Sequence, residues 1–178
     1  MIKKMTIGLS LLFLSSGLYA EKIFNASLVP DLALYPQTEV IEGLTVSFWG
    51  ENEQSSLALG FVHGSRGDSA GLSWGLVNYA ENYRGVQWAL VNYNGGDFSG
   101  WQAGLVNFVE GDAKGVQTGL VNYAKRLKGL QLGLVNYAIN TEDAVQIGLL
   151  NIVDDNDKWF GDLPSEVAPS MILVNWSF

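Results

Sequence analysis

His63 is the single histidine of the chain, and Ser65 and Asp68 follow it closely. A histidine that takes the proton of a serine hydroxyl, itself oriented by a carboxylate, is the apparatus of acyl transfer. In an outer-membrane lipid hydrolase or acyltransferase those groups converge at the membrane boundary. Here they stand in one short polar segment, and closeness along the chain does not supply triad geometry; the expectation is a solvated loop. Arg66-Gly67-Asp68 has the form of an integrin-type adhesion tripeptide, but Gly-Asp is common in turns. Asp154, Asp155, Asn156 and Asp157 make an oxygen-rich run suited to Ca²⁺ or to the cations that bridge lipopolysaccharide. The spacing and closing Glu of an EF-hand loop are missing, so this too reads as a solvated acidic loop. Gln87, Gln102, Gln117, Gln131 and Gln146 would line a narrow polar pore or, as in small barrels, fill the interior. With no cysteine there is neither a disulfide framework nor a thiolate metal site. The expectation is a non-enzyme with no catalytic, metal-binding or cofactor-binding residue.

The elements that carry these residues are bounded by composition. The chain has 178 residues, 48% hydrophobic and 16% charged, which gives room for one domain and is too apolar for disorder. A formal charge of −8 disfavours nucleic acid as a partner. Lys3 and Lys4, the apolar run Ile7 to Leu14, then Ser15-Ser16-Gly17 and Leu18-Tyr19-Ala20 have the layout of a secretory signal peptide. Residues 1–20 are therefore read as the signal, with cleavage after Ala20, and 21–178 as one exported domain. No later stretch is long and apolar enough for a spanning helix, so any membrane span must be built from strands.

From residue 71 the chain repeats itself. Gly71 to Tyr79, Gly85 to Tyr93, Gly100 to Phe108, Gly115 to Tyr123, Gly129 to Tyr137 and Ala144 to Ile152 are copies of Gly-Val-Gln-x-Gly-Leu-Val-Asn-Tyr, starting 14 or 15 residues apart. Val, aromatics and alternation make each copy a strand. Strands are expected near 23–35, 42–50, 55–63, 70–79, 83–93, 98–108, 113–123, 127–137, 142–152 and 168–178. Asn94-Gly95-Gly96-Asp97 and Glu110-Gly111-Asp112 read as tight hairpin turns, which force antiparallel neighbours. Alternation puts Val86, Trp88, Leu90 and Asn92 on one face, directed outward, and Gly85, Gln87, Ala89, Val91 and Tyr93 on the other, directed inward. Tilted strands of 9–11 residues cross a hydrocarbon core, and a sheet in lipid must close. The fold expected is an all-β, antiparallel up-and-down transmembrane β-barrel of about ten strands. The long connection 153–167 then lies outside the cell, and 51–54, 80–82, 109–112 and 138–141 are periplasmic turns.

Ile172, Val174, Trp176 and Phe178 alternate to the end of the chain. This resembles the C-terminal signal by which Gram-negative outer-membrane barrels are recognised for insertion. Together with the repeats it resembles bacterial outer-membrane β-barrel and surface-repeat proteins. The resemblance implies an outer-membrane location, contact with outer-membrane lipid and lipopolysaccharide, and engagement of the barrel-assembly machinery through the last strand. Aligning Leu173-Val-Asn-Trp176 with the repeats puts Trp176 on the Gly/Gln face, so the last strand changes register or the faces are reversed. The function expected is structural or surface-interacting, with a narrow channel as a variant. The rival is a secreted parallel β-solenoid, whose identical Gln and Asn residues stack into ladders while one face binds a partner. A weaker rival is a membrane hydrolase using His63.

Overall fold

The computed structural model describes residues 21–178, so the signal-peptide expectation for 1–20 lies outside the described residues. Eleven strands follow in order: β1 Phe24–Val29, β2 Leu32–Ala33, β3 Leu44–Gly50, β4 Leu57–Trp74, β5 Val77–Trp88, β6 Val91–Asn94, β7 Phe98–Ala103, β8 Val106–Thr118, β9 Val121–Leu132, β10 Val135–Val153 and β11 Ser170–Ser177. From β3 to β10 every neighbour is parallel, and each copy of the repeat lies on its own equivalent: Gly85 on Gly100, Gln102 on Gln117, Asn107 on Asn122. The chain is a β-solenoid of about seven turns. This corrects the antiparallel transmembrane barrel: among the described residues the ladder runs along an axis instead of closing around a lumen.

The physical reason lies inside the repeat. What reads as one strand contains a corner, at Gly75-Leu76, Ala89-Leu90, Gly104-Leu105, Gly119-Leu120 and Gly133-Leu134, between consecutive strands. Each corner is fastened to the next by backbone bonds: Leu105 N–H to Leu90 O at 2.8 Å, Leu120 N–H to Leu105 O at 2.9 Å, Leu134 N–H to Leu120 O at 2.9 Å. Conversely, the segments expected as hairpin turns do not reverse the chain. Glu110-Gly111-Asp112 lies within β8, where the ladder shifts register between Val109 and Asp112. Gly95 and Gly96 donate to Ala80 O and Glu81 O one coil below, at 2.9 and 2.8 Å.

The corner also resets the side-chain alternation. Gln87 and Ala89 point inward as expected, and Trp88 and Leu90 outward, but Leu90 and Val91 are both exposed, so Asn92 is buried and Tyr93 is outside. Asn92, expected outward, is therefore inside, and Val91 and Tyr93, expected inward, are outside. The largest apolar cluster of the interior is Ala80, Tyr83, Phe98, Val109, Ala113, Ala124, Leu127, Ala138 and Ala144.

Both ends are partly covered. At the start β2 folds back antiparallel on β1, and Asn52 Nδ2 donates to Pro36 O and Glu39 O at 2.7 and 3.1 Å. At the far end the 153–167 connection does reverse the chain, and β11 lies antiparallel on β10. A register shift between Gly148 and Asn151 faces Leu173, whose φ is 71°; Asn175 is consequently buried and Trp176 is not. Trp176 Nε1 donates to Pro164 O at 2.9 Å, and Phe178 N–H to Ser165 O at 2.9 Å, which covers the outer edge of β11 at its last residues.

Candidate functional site

Stacking identical coils brings identical amides together. Asn78, Asn92, Asn107, Asn122, Asn136 and Asn151 are buried, and each Nδ2 donates to the Oδ1 of the next at 2.8–2.9 Å. The second hydrogen of that amide goes to a corner carbonyl, as from Asn107 to Thr118 O at 2.9 Å and from Asn122 to Leu132 O at 2.9 Å. The Gln row is equally buried but has the opposite polarity. Gln102, Gln117, Gln131 and Gln146 each donate from Nε2 to the preceding Oε1, at 2.7–3.0 Å. Two oppositely directed amide columns thus bind coil to coil. The Gln side chains fill the interior and line no lumen.

His63 pairs in register with Asn78 and so occupies the Asn position one coil earlier, inside β4 and not in a solvated loop. Its Nδ1 lies 3.2 Å from Ser47 Oγ, and its buried Nε2 has no partner among the described residues. Ser65 bonds Ser69, and exposed Asp68 accepts from Asn82 Nδ2 at 2.9 Å. Neither hydrogen-bonds His63, so the structure does not assemble a triad. Arg66 pairs with Glu51 at 3.0 Å. In the acidic run, Asp154, Asp155 and Asp157 are exposed while Asn156 Oδ1 accepts from Lys158 N–H at 2.9 Å. Among the described residues no group of three or more His, Cys, Asp or Glu is placed to hold a metal.

Burial lowers the His63 pKa to about 4 from an ordinary 6.5, so the ring is neutral in the fold. The unfolded chain binds a proton that the folded chain refuses between those values. Stability is then fully present above the ordinary value and falls as pH drops towards about 4, by on the order of 3 kcal/mol. His63→Asn, which continues the amide column, is expected to flatten that part of the profile. Urea unfolding at pH ~7 and ~4.5 checks this; an unchanged slope would count against a buried neutral imidazole.

The arrangement that sequence reasoning missed lies outside, at the corners. Leu76, Leu90, Leu105, Leu120 and Leu134 form a row along the axis, each 46–50% exposed, continued by Leu149. Beside it Trp74, Trp88 and Trp101 stand outward on one flank, and Val91 and Val121 on the other. Segments 71–80, 85–94, 100–109, 115–124, 129–141 and 144–153 contain no Asp, Glu, Lys or Arg. The charges of these coils fall between them, at Glu81, Arg84, Asp97, Glu110, Asp112, Lys114, Lys125, Arg126, Lys128, Glu142 and Asp143, half a coil from the leucines. Each coil is therefore amphipathic across its width. The signal was visible as charge-free stretches of ten or so residues, but it could be placed on one edge only after the corner was known. The backbone of the apolar edge is satisfied as well: Ala89 N–H donates to Ala103 O and Gly104 N–H to Thr118 O, both at 3.0 Å, besides the leucine bonds above.

On the Val-Asn-Tyr flank Tyr93, Phe108, Tyr123 and Tyr137 stack on one another, with centroids 4.2–5.8 Å apart and planes within 16°. Their ring faces are spent on each other, so this column ties coils together instead of offering a flat platform. No protein-family model, curated protein or solved structure matches the chain.

Proposed function

We propose that the protein is an exported, non-enzymatic β-solenoid that rests on a lipid surface by its leucine–tryptophan edge. The observation that carries this reading is the charge-free half of every coil, whose backbone groups are already bonded from coil to coil. An edge with unpaired N–H and C=O groups could not enter an apolar medium, since each would cost several kcal/mol. This edge has no such obstacle. Burying the exposed halves of six leucines contributes roughly 1 kcal/mol each. The tryptophans add rings suited to the headgroup boundary. The charges of these coils, six acids and five bases, lie on the other edge and stay in water, so no attraction to anionic lipid is involved. Outer-membrane lipid is the surface such an exported chain would meet.

The test is sedimentation with phosphatidylcholine vesicles. The folded protein, residues 21–178, is expected to co-sediment equally at low and high salt. Leu90→Glu with Leu105→Glu should weaken binding at least about a hundredfold, with circular dichroism showing an intact fold. Absence of binding by the unaltered protein would defeat the reading. A salt-independent dimer formed without vesicles, and lost in the double variant, would reassign the edge to a second copy of the chain.

A further inference from the structure

We infer that the trough between the Trp74–Trp88–Trp101 flank and the Leu76–Leu90–Leu105 row seats a single acyl chain of a membrane phospholipid; this rests on the reading above and gives the edge a specific ligand. The trough has a volume of about 510 Å³ and a floor of small residues, Gly75, Ala89, Ala103 and Gly104. One polar pair on its wall is internally matched. Trp101 Nε1 donates to Thr118 Oγ1 at 2.9 Å, and the Thr118 hydroxyl donates to Gln102 O at 3.3 Å. It contains no charged residue, which suits an apolar occupant.

Size narrows the choice further. The trough spans three coils, and at about 4.8 Å per rung its length is roughly 14 Å. A helix laid along it would seat fewer than about three turns, and a strand would bring unmatched backbone groups. A second copy offers a trough of the same shape, and two concave faces do not fill each other. An extended aliphatic chain suits both the length and the absence of charge. The trough ends where the tryptophans end: the positions in register with Trp88 are Trp74 below and Ala103, Thr118 and Leu132 above. Being part of the charge-free edge, it opens towards the lipid in which that edge rests.

Lysophosphatidylcholines of increasing chain length, kept below their micelle concentrations, are the probe, with binding followed by tryptophan fluorescence and calorimetry. One-to-one saturable binding is expected, tightening about fourfold per added methylene and levelling off once the chain outgrows the trough. Ala103→Trp, which occupies the outward space between Trp101 and Leu105 in the third coil, should weaken this binding and move the plateau to a shorter chain, with vesicle sedimentation retained. No saturable binding, a chain-length series without a plateau, or indifference to Ala103→Trp would overturn the trough while leaving the edge reading intact. Binding of the monomeric lipid by a protein that ignores vesicles would uphold the trough and defeat the edge. Free fatty acid binding as tightly as the lysophospholipid, or more tightly, would overturn the phospholipid as ligand.

Discussion

Gly100→Ala is expected to lower the unfolding free energy by about 3–5 kcal/mol, measured by equilibrium denaturation of the 21–178 chain. Gly71, Gly85, Gly100, Gly115 and Gly129 form a column in register, all with φ between 108° and 140°. A Cβ at Gly100 would stand 2.0 Å from the carbonyl oxygen of Gly85, a backbone atom fixed by its own ladder. Strain in φ and steric overlap therefore add. The molecule contains its own control, because Ala144 occupies the same column above Gly129. There the ladder shifts between Thr141 and Ala144, and Asp143 takes the positive φ, at 48°. The added residue removes the need for glycine at 144. Ala144→Gly should accordingly change stability by no more than about 1 kcal/mol. A loss below about 1 kcal/mol for Gly100→Ala would mean that the coils slide more freely than the column suggests.

That same column shows how far the chain could be read before its structure. The 14–15-residue unit, its strand character and the outward Trp88 and inward Gln87 were all legible, because side-chain alternation holds within each straight segment. Direction was not legible from local turn chemistry. Glycine and aspartate at Glu110-Gly111-Asp112 suit a hairpin, and they suit equally a bulge that bends a continuous strand around a coil. Alternation also failed across Ala89-Leu90, where two successive residues face out, and that single slip sent Asn92 to the wrong face. The stronger signal was the identity of the polar residues. In an antiparallel meander, equivalent positions of neighbouring copies lie at opposite ends of the pair, so a repeated Asn gains no partner from its repetition. Only parallel stacking puts Asn on Asn and Gln on Gln, and the solenoid named as the rival in the sequence reading rests on that argument. The charge-free edge depended on the corner, and the trough on three tryptophans whose alignment, Trp74 on Trp88 with Trp101 beside Val86, no spacing rule exposes.

Asn107→Asp is expected to cost about 4 kcal/mol or more at neutral pH and to recover part of that loss on acidification. Asn107 Oδ1 accepts from Asn92 Nδ2 at 2.9 Å, while its Nδ2 donates to Asn122 Oδ1 at 2.8 Å and Thr118 O at 2.9 Å. A carboxylate would turn an oxygen towards two oxygens, fully buried, and its pKa would be pushed above the usual carboxylate value of about 3.9. The folded state then holds a proton that the unfolded chain has released, so stability falls as pH rises through that window. On protonation the acid O–H can supply one of the two missing donations. Asn107→Leu fills the space but supplies neither, and its loss should not vary with pH. The difference between the Asn107→Asp and unaltered profiles isolates the effect, because His63 acts in the opposite sense, weakening both proteins as pH falls. Parallel profiles for the two proteins would show that the Asn column is not held by the donor order described. Recovery in acid confined to the aspartate variant would show that its direction, each amide giving a hydrogen to the coil above, is what the fold requires.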